Sequence, residues 1–508
     1  MSRTTLAAVM LAIAWGGSHG NATTPQNDAS EILNRIQRDA QETEWLTNAA
    51  YHNPVINQFR KPYSLNTVGI SFNARSENHA LNQQQGDSER LGAFDAQSYM
   101  KHGNSTLWGH AYYHNGSVRN VVWNETSDYD MVYPYLLADS VGGKKTSIER
   151  YSFMGGYAAK SGHWAWGGNM GYTAGLYYRN VDPRPKNVTA LLDLQAGLGY
   201  QATRRYVAAA SVNFKKYKQT NDVAFYSELG KDKLFHLTGF ANEYDRFAGA
   251  GSEAYYNGHS LGATLNWHPL DYRGLSISAE ASRLTLNKVL TAFNKLPLAH
   301  VGHNTLLVQA AWIGKGWGLN AHATASRKVG TENVFGDPTS GIYLQIGRHD
   351  LYFENRFSTG ISGVWQHGMG NYYLAVRPHV DYHHLHQLYL DPLNCLLLND
   401  VNFGVTLKGG LKVCRTFNVL TIGMSHTAPV ECAMTLHKAP AELAGLQRLV
   451  ENGYEWQSSH REVLKVTACS SMALNTRYAL RASIDWQHGR YRHDTYRNTF
   501  FTSFALVF

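Results

Sequence analysis

After the first two dozen residues the chain has no apolar run long enough to cross a bilayer as a helix. A spanning helix needs about 20 such residues, and the longest runs, Tyr206–Val212 and Leu306–Ile313, fall far short. That excludes a helical membrane bundle. Proline is scarce at 13 residues, and cysteine is scarcer still, with only Cys395, Cys414, Cys432 and Cys469. So few thiols cannot staple 508 residues, which excludes a disulfide scaffold. Charge is thin at 17%, and the formal balance of +8 is modest for this length. With no concentrated basic stripe, nucleic acid is excluded as a partner. No His-Glu-x-x-His spacing occurs, so the metalloprotease pattern is absent as well.

Tyrosine (31), tryptophan (12) and glycine (46) are what the chain has in plenty, and they are arranged with a period of two. Over 164–179, Trp164, Trp166, Met170, Tyr172, Leu176 and Tyr178 share one face, while Asn169, Thr173 and Arg179 share the other with small residues. Leu192, Leu194 and Leu198 oppose Asp193, Gln195 and Gln201; Phe403, Val405 and Leu407 oppose Thr406 and Lys408; Leu480, Ala482 and Ile484 oppose Arg481 and Asp485. Apolar-out, polar-in alternation over ten or so residues is how a strand crosses a membrane with water on its inner side. Short connections, such as Ser161–His163, Gly314–Gly316 and Asn475–Thr476, alternate with long ones, such as Asn124–Lys145, Gln219–Tyr256, Lys288–His300, Val329–Arg348, Gln387–Leu398 and Thr427–His460. The expected fold is an all-β, transmembrane, antiparallel up-and-down β-barrel. It has about 18 strands (16–18), short periplasmic turns and long external loops. Trp108, Trp164, Trp166, Trp267, Trp312, Trp317 and Trp365 all lie beside short turns and are expected to form one aromatic girdle.

The two ends agree with this picture. Arg3, the apolar stretch Leu6–Trp15 and the small residues up to Ala22 have the layout of a secretory signal peptide. Residues 1–22 are therefore expected to be a signal peptide, 23–62 a periplasmic segment with a helix or short plug, and 63–508 the barrel. Ile32, Leu33, Ile36, Ala40 and Trp45 fall near helical spacing, and a second helix is expected over Ala439–Asn452, opened by Pro440 and closed by Gly453. Phe500, Phe504, Leu506 and the terminal Phe508 share one face of the last strand. Phe504, Leu506 and Phe508 thus resemble the signal recognised by the outer-membrane barrel-assembly machinery. The strand is expected to close the barrel against Leu65–Asn73. With Trp45-Leu46-Thr47-Asn48-Ala49-Ala50 near the start, the mature chain resembles uncharacterised Bacteroidota outer-membrane β-barrel families. The resemblance implies fold and location, with no site residues and no substrate.

A barrel of this size is too wide for side chains to fill, so its inner wall is where chemistry is sought. Arg377, His379, Asp381, His383, Lys408, Lys412, Arg481 and Asp485 are expected to line it. The balance is basic, and Lys and Arg rings favour anions. His379, Asp381 and His383 share a face, but neighbours on that face sit about 6.6–7 Å apart, too wide for one ion. No metal, cofactor or catalytic residue is expected. Cys395 and Cys432 are expected in external loops, where a disulfide is permitted, and Cys414 and Cys469 on strands facing inward. The functional expectation is a porin-like or substrate-specific channel. The alternative is a surface binding or assembly component of an envelope complex with a plugged lumen, and an outer-membrane enzyme is the least favoured. Expected partners are outer-membrane lipid and lipopolysaccharide, the barrel-assembly machinery and an envelope protein.

Overall fold

The structure is a computed structural model that describes residues 30–40, 43–227, 232–247, 249, 251–492 and 494–508. The expected signal peptide, 1–22, lies outside the described residues. Among them, no helix is long and apolar enough to cross a membrane. The alternating segments instead form one closed 18-stranded sheet. Its strands are β1 Leu65–Glu77, β2 Ser88–His102, β3 Ser105–Val121, β4 Gly143–Ser161, β5 Trp164–Tyr178, β6 Arg184–Tyr200, β7 Tyr206–Ala224, β8 Glu253–Pro269 and β9 Gly274–Leu290. They continue as β10 Leu296–Ile313, β11 Trp317–Phe335, β12 Gln345–Met369, β13 Tyr372–Leu390, β14 Leu393–Val413, β15 Thr416–Thr435, β16 Arg461–Ala473, β17 Ala479–Arg490 and β18 Tyr496–Val507. Each strand pairs antiparallel with its sequence neighbours. β18 closes the ring on β1, with Val507 opposite Thr67 and Phe504 opposite Ile70.

Parity along the strands decides what each face meets. Ile70, Phe94, Phe153, Met170, Val212, Leu265, Leu319, Ile361, Leu407 and Phe504 all point outward and are exposed, so the barrel wears a continuous apolar belt. At the short-turn end the belt is edged by Trp164, Trp166, Trp312, Trp317 and Trp365, all exposed, and by Trp267, which stacks on Tyr206. An apolar belt with an aromatic edge on a closed barrel is the outer-membrane solution to spanning with strands, because closure leaves no unpaired edge in lipid. The protein is an outer-membrane, multi-pass β-barrel.

Trp108 departs from the expected girdle. It has the parity of His110 and Thr106, faces the lumen and lies over Gly156 on β4, where any Cβ would overlap the indole. Nearness to a short turn does not set which face a residue occupies; its place in the period-two count does.

Several external connections are shorter than expected. β13 and β14 are joined through 391–392 alone, and the gaps 291–295 and 336–344 are also brief. The ladders continue past the apolar belt, where the outward face turns polar and the alternation fades although the backbone pairing does not. The second helix is displaced as well. A 3-10 turn, Ala441–Leu443, follows Pro440, and α2, Ala444–Gln457, runs through Gly453 instead of stopping there. Cys395 and Cys432 lie on β14 and β15, not in loops. Cys395 faces outward near His386, while Cys432 is paired opposite inward-facing Leu398, so the two thiols sit on opposite faces. Cys414 lies in the exposed β14–β15 turn with φ 50°, and Cys469 faces inward.

Candidate functional site

The N-terminal segment occupies the short-turn end of the lumen. Its helix α1, Ser30–Asp39, buries Ile32, Leu33 and Ile36 against Tyr373, Ala375, Phe417, Ala473 and Val507 of the inner wall. The apolar spacing of α1 makes this one-sided stripe. Further along, Leu46 is buried among Ala311, Ile313 and Val364, and Ala50, Val55 and Ile56 among Ala165, Val207 and Ala209. Between these anchors, wall amides bond the segment's backbone and one of its side chains. Asn320 Nδ2 donates to the Leu46 carbonyl at 2.7 Å, the Ala49 N–H donates to Gln309 Oε1 at 3.0 Å, and Asn53 Nδ2 donates to Asn266 Oδ1 at 2.9 Å. The circuit ends near β2, where Tyr99 Oη donates to the Asn57 carbonyl at 2.8 Å and Lys101 Nζ to the Gln58 carbonyl at 2.5 Å. The segment therefore touches the wall from β13–β17 round to β2–β3.

The basic residues expected to line the wall do face inward, and several grip this segment. Lys408 Nζ donates to the Ala40 carbonyl at 2.6 Å, just past the C-terminus of α1. Lys412 Nζ donates to Asn34 Oδ1 at 2.9 Å, and the Arg377 guanidinium lies 4.2 Å from the Trp45 ring centroid. The other wall residues have neighbours of their own. His379 meets Asn402 at 3.1 Å, His383 meets Ser358 at 3.0 Å, Asp381 meets His322 at 3.5 Å, and Asp485 pairs with Lys465 at 3.1 Å. Arg481 donates to Ser471 Oγ at 3.3 Å. His379, Asp381 and His383 are thus not brought together on a common point. The spacing Gly258-His259-Ser260-Leu261-Gly262 matches a nucleophile elbow in pattern, a match that sequence reasoning missed. It runs along the middle of β8, however, with no strand-to-helix turn, so it makes no elbow.

The long-loop end carries a folded cap. The connection 122–142 dips into the lumen, where Leu137–Ala138 adds to a small sheet with Phe235–Gly239 and Asn242–Glu243 from the β7–β8 connection. Trp123, Val132, Leu136, Phe235 and Leu237 form a core with wall residues Tyr217, Tyr256, Leu286 and Val301, closed by Leu443 and Leu446 of the β15–β16 connection. α2 continues from there, and Val450 and Tyr454 pack beside Phe240, Tyr352 and Tyr389. At its far end Trp456 stacks on His79 of the β1–β2 connection. The connection 122–142 leaves β3 and reaches Lys328 on β11, nearly opposite in an 18-stranded ring.

Buried polar contacts fix the cap. Lys288 Nζ donates to the Leu136 carbonyl at 2.8 Å, and Lys328 Nζ donates to the Asp130 carbonyl at 2.9 Å. Glu125 and Arg179 form an ion pair of 2.6 Å with both side chains almost wholly buried. Burial, reinforced by nearby Asp139, pushes the Glu125 carboxyl well above the usual carboxylate range despite Arg179. Burial likewise pushes the Tyr133 phenol up to about 12. Tyr217 Oη donates to Asp128 Oδ2 at 2.9 Å, and Asp128 also pairs with Arg150 at 2.6 Å. Sequence reasoning missed Lys288 and Lys328 as cap-holding residues. The one available hint was the tyrosine-rich run Tyr129, Tyr133 and Tyr135, which is too apolar for a solvated loop.

Residues 54–508 match the model of a family described as a family of unknown function, DUF6850. No curated protein matches the chain. Similar solved structures include the copper transporter OprC, at 8% identity and TM-score 0.39, covering 87% of this chain and 80% of that one. The FrpB iron transporter from Neisseria meningitidis is similar at 9% identity and TM-score 0.39, covering 89% and 82%. A bacterial polysaccharide outer membrane secretin is similar at 9% identity and TM-score 0.34, covering 88% and 98%. Likeness this distant carries nothing about cargo or mechanism.

Proposed function

The chain belongs to DUF6850, a family of unknown function, and from its geometry we propose that it is a closed-lumen surface component. In this role an outer-membrane barrel meets a partner through its folded external cap and does not conduct freely. One observation carries the proposal: five cations of the inner wall are spent on holding the two segments that fill the lumen. Arg377, Lys408 and Lys412 engage the N-terminal segment, and Lys288 and Lys328 engage the cap. A selectivity filter needs its charges facing water and ions. The expected partner is an envelope or extracellular protein gripped by the surface built from connections 122–142, 232–247 and 436–460. His379, Asp381 and His383 are given no catalytic role.

The test is cross-linking of intact envelopes followed by affinity purification in mild detergent. A specific envelope protein should co-purify with the wild type and be lost when Trp123→Ala and Leu446→Ala loosen the cap on a folded barrel. Recovery of the barrel alone, as an open channel, would sink the proposal. A second reading, a substrate-specific conduit closed at rest, is favoured by the polar middle of the wall, where Asp193 and Lys215 pair at 3.0 Å on one side of the ring and Asp485 and Lys465 at 3.1 Å on the other. It predicts solute uptake that depends on release of the N-terminal segment.

A further inference from the structure

On the outward surface of β8–β13 the apolar belt gives way to a basic edge over an unusually hollow stretch of wall. One row of ladder partners reads Leu261, Arg283, Asn304, Arg327, Asn355 and His386. The next row toward the short turns reads Ala263, Ala281, Leu306, Ala325, Phe357 and His384. Alanine on β8, β9 and β11 leaves hollows between the larger Leu261, Leu306 and Phe357, part of an open concavity of about 1020 Å³ lined by these two rows except His386. Arg283 and Arg327 stand at its upper rim, both exposed. Neither guanidinium has a hydrogen-bond or ion-pair partner among the described residues. They are two strands apart with Asn304 between them, so their Cα atoms lie about 10 Å apart, within reach of a common anion for two long side chains. The opposite wall differs: its row of Val466, Trp486, Phe500, Ala74 and Arg90 carries a single charge, Arg90, with no second arginine beside it.

We propose that this face is a site for one phosphorylated, multiply acylated lipid of the outer leaflet. The phosphate sits between Arg283 and Arg327, with Asn304 and Asn355 as further donors, and acyl chains lie in the hollows over Ala263 and Ala281 and over Ala325, on either side of Leu306. Charge complementarity selects the occupant. Unpaired guanidinium groups at the membrane surface attract anionic headgroups and bind phosphate oxygens bidentately, and the apolar hollows directly below reward a headgroup that brings chains with it. A soluble anion would use the arginines and leave the hollows empty.

The test uses the full chain in phosphatidylcholine nanodiscs doped with phosphorylated lipid A, with bound lipid read by native mass spectrometry and folding checked by heat-modifiable gel mobility. The pair R283Q/R327Q should lower lipid A retention by about tenfold or more. A281F/A325F, which fills the hollows and keeps both arginines, should lower it too. R90Q on the far wall should leave it unchanged, and dephosphorylated lipid A should be retained no better than phosphatidylcholine. Four results would overturn the proposal: undiminished retention by folded R283Q/R327Q or A281F/A325F, equal loss in R90Q, equal retention of the dephosphorylated lipid, or full displacement by inorganic phosphate alone.

Discussion

Lys408 on the barrel wall donates to the carbonyl oxygen of Ala40, 368 residues away in the chain. The contact lies at the end of α1, where unpaired carbonyls concentrate partial negative charge and a cation is favoured. Lys408→Gln keeps length and polarity but removes the charge. The account predicts a loss of about 1–3 kcal/mol in docking of the N-terminal segment, read as faster hydrogen exchange over residues 30–40 with barrel strands unaffected.

Leu46 is the apolar pin of the same segment, enclosed by Ala311, Ile313 and Val364. Leu46→Ala should cost about 2–5 kcal/mol locally. Because the strands are held by their own ladders, the loss should appear as protease cleavage within 43–62 while the heat-modifiable mobility of the barrel is unchanged. Cooperative loss of the whole barrel would mean that the segment is part of its core.

Gly156 is required by Trp108. Gly156→Ala places a methyl group against the indole and should destabilise by about 1–3 kcal/mol, measured as a lower urea midpoint of unfolding. In a Trp108→Ala background the same change should cost little. If it does not, the two residues do not meet across β3 and β4.

Most of the barrel was legible in the sequence because closure against lipid forces period two on every strand, and that Phe504 and Ile70 both face outward follows from that alternation alone. Trp108 was misplaced because its nearness to a turn was weighed above its parity. The extensions of β13 and β14 were invisible because, above the belt, His384 and Asn399 face outward where lipid no longer demands apolar residues. The inward direction of Arg377, Lys408 and Lys412 was readable, but their partners were not. Ala40, Asn34 and Trp45 are brought to them by a segment that folds back along the wall, a long-range event with no local periodic signature. The cap was hidden for the same reason, since Lys288 and Lys328 meet carbonyls more than 150 residues away.

The thiols test threading. Cys414 lies in a short exposed turn at the periplasmic end. A membrane-impermeant maleimide should fail to label it on intact cells and label it readily once the outer membrane is permeabilised. Cys395 and Cys432, on opposite faces, should show no reductant-dependent change in gel mobility.

The central claim is that the wall cations hold the lumen closed, and single-channel recording in planar bilayers tests it most directly. Folded wild-type protein should insert without steady conductance, whereas R377Q/K408Q/K412Q, equally folded, should open to an aqueous pore. A wild-type barrel that conducts on insertion, with the triple variant unchanged, would contradict the account.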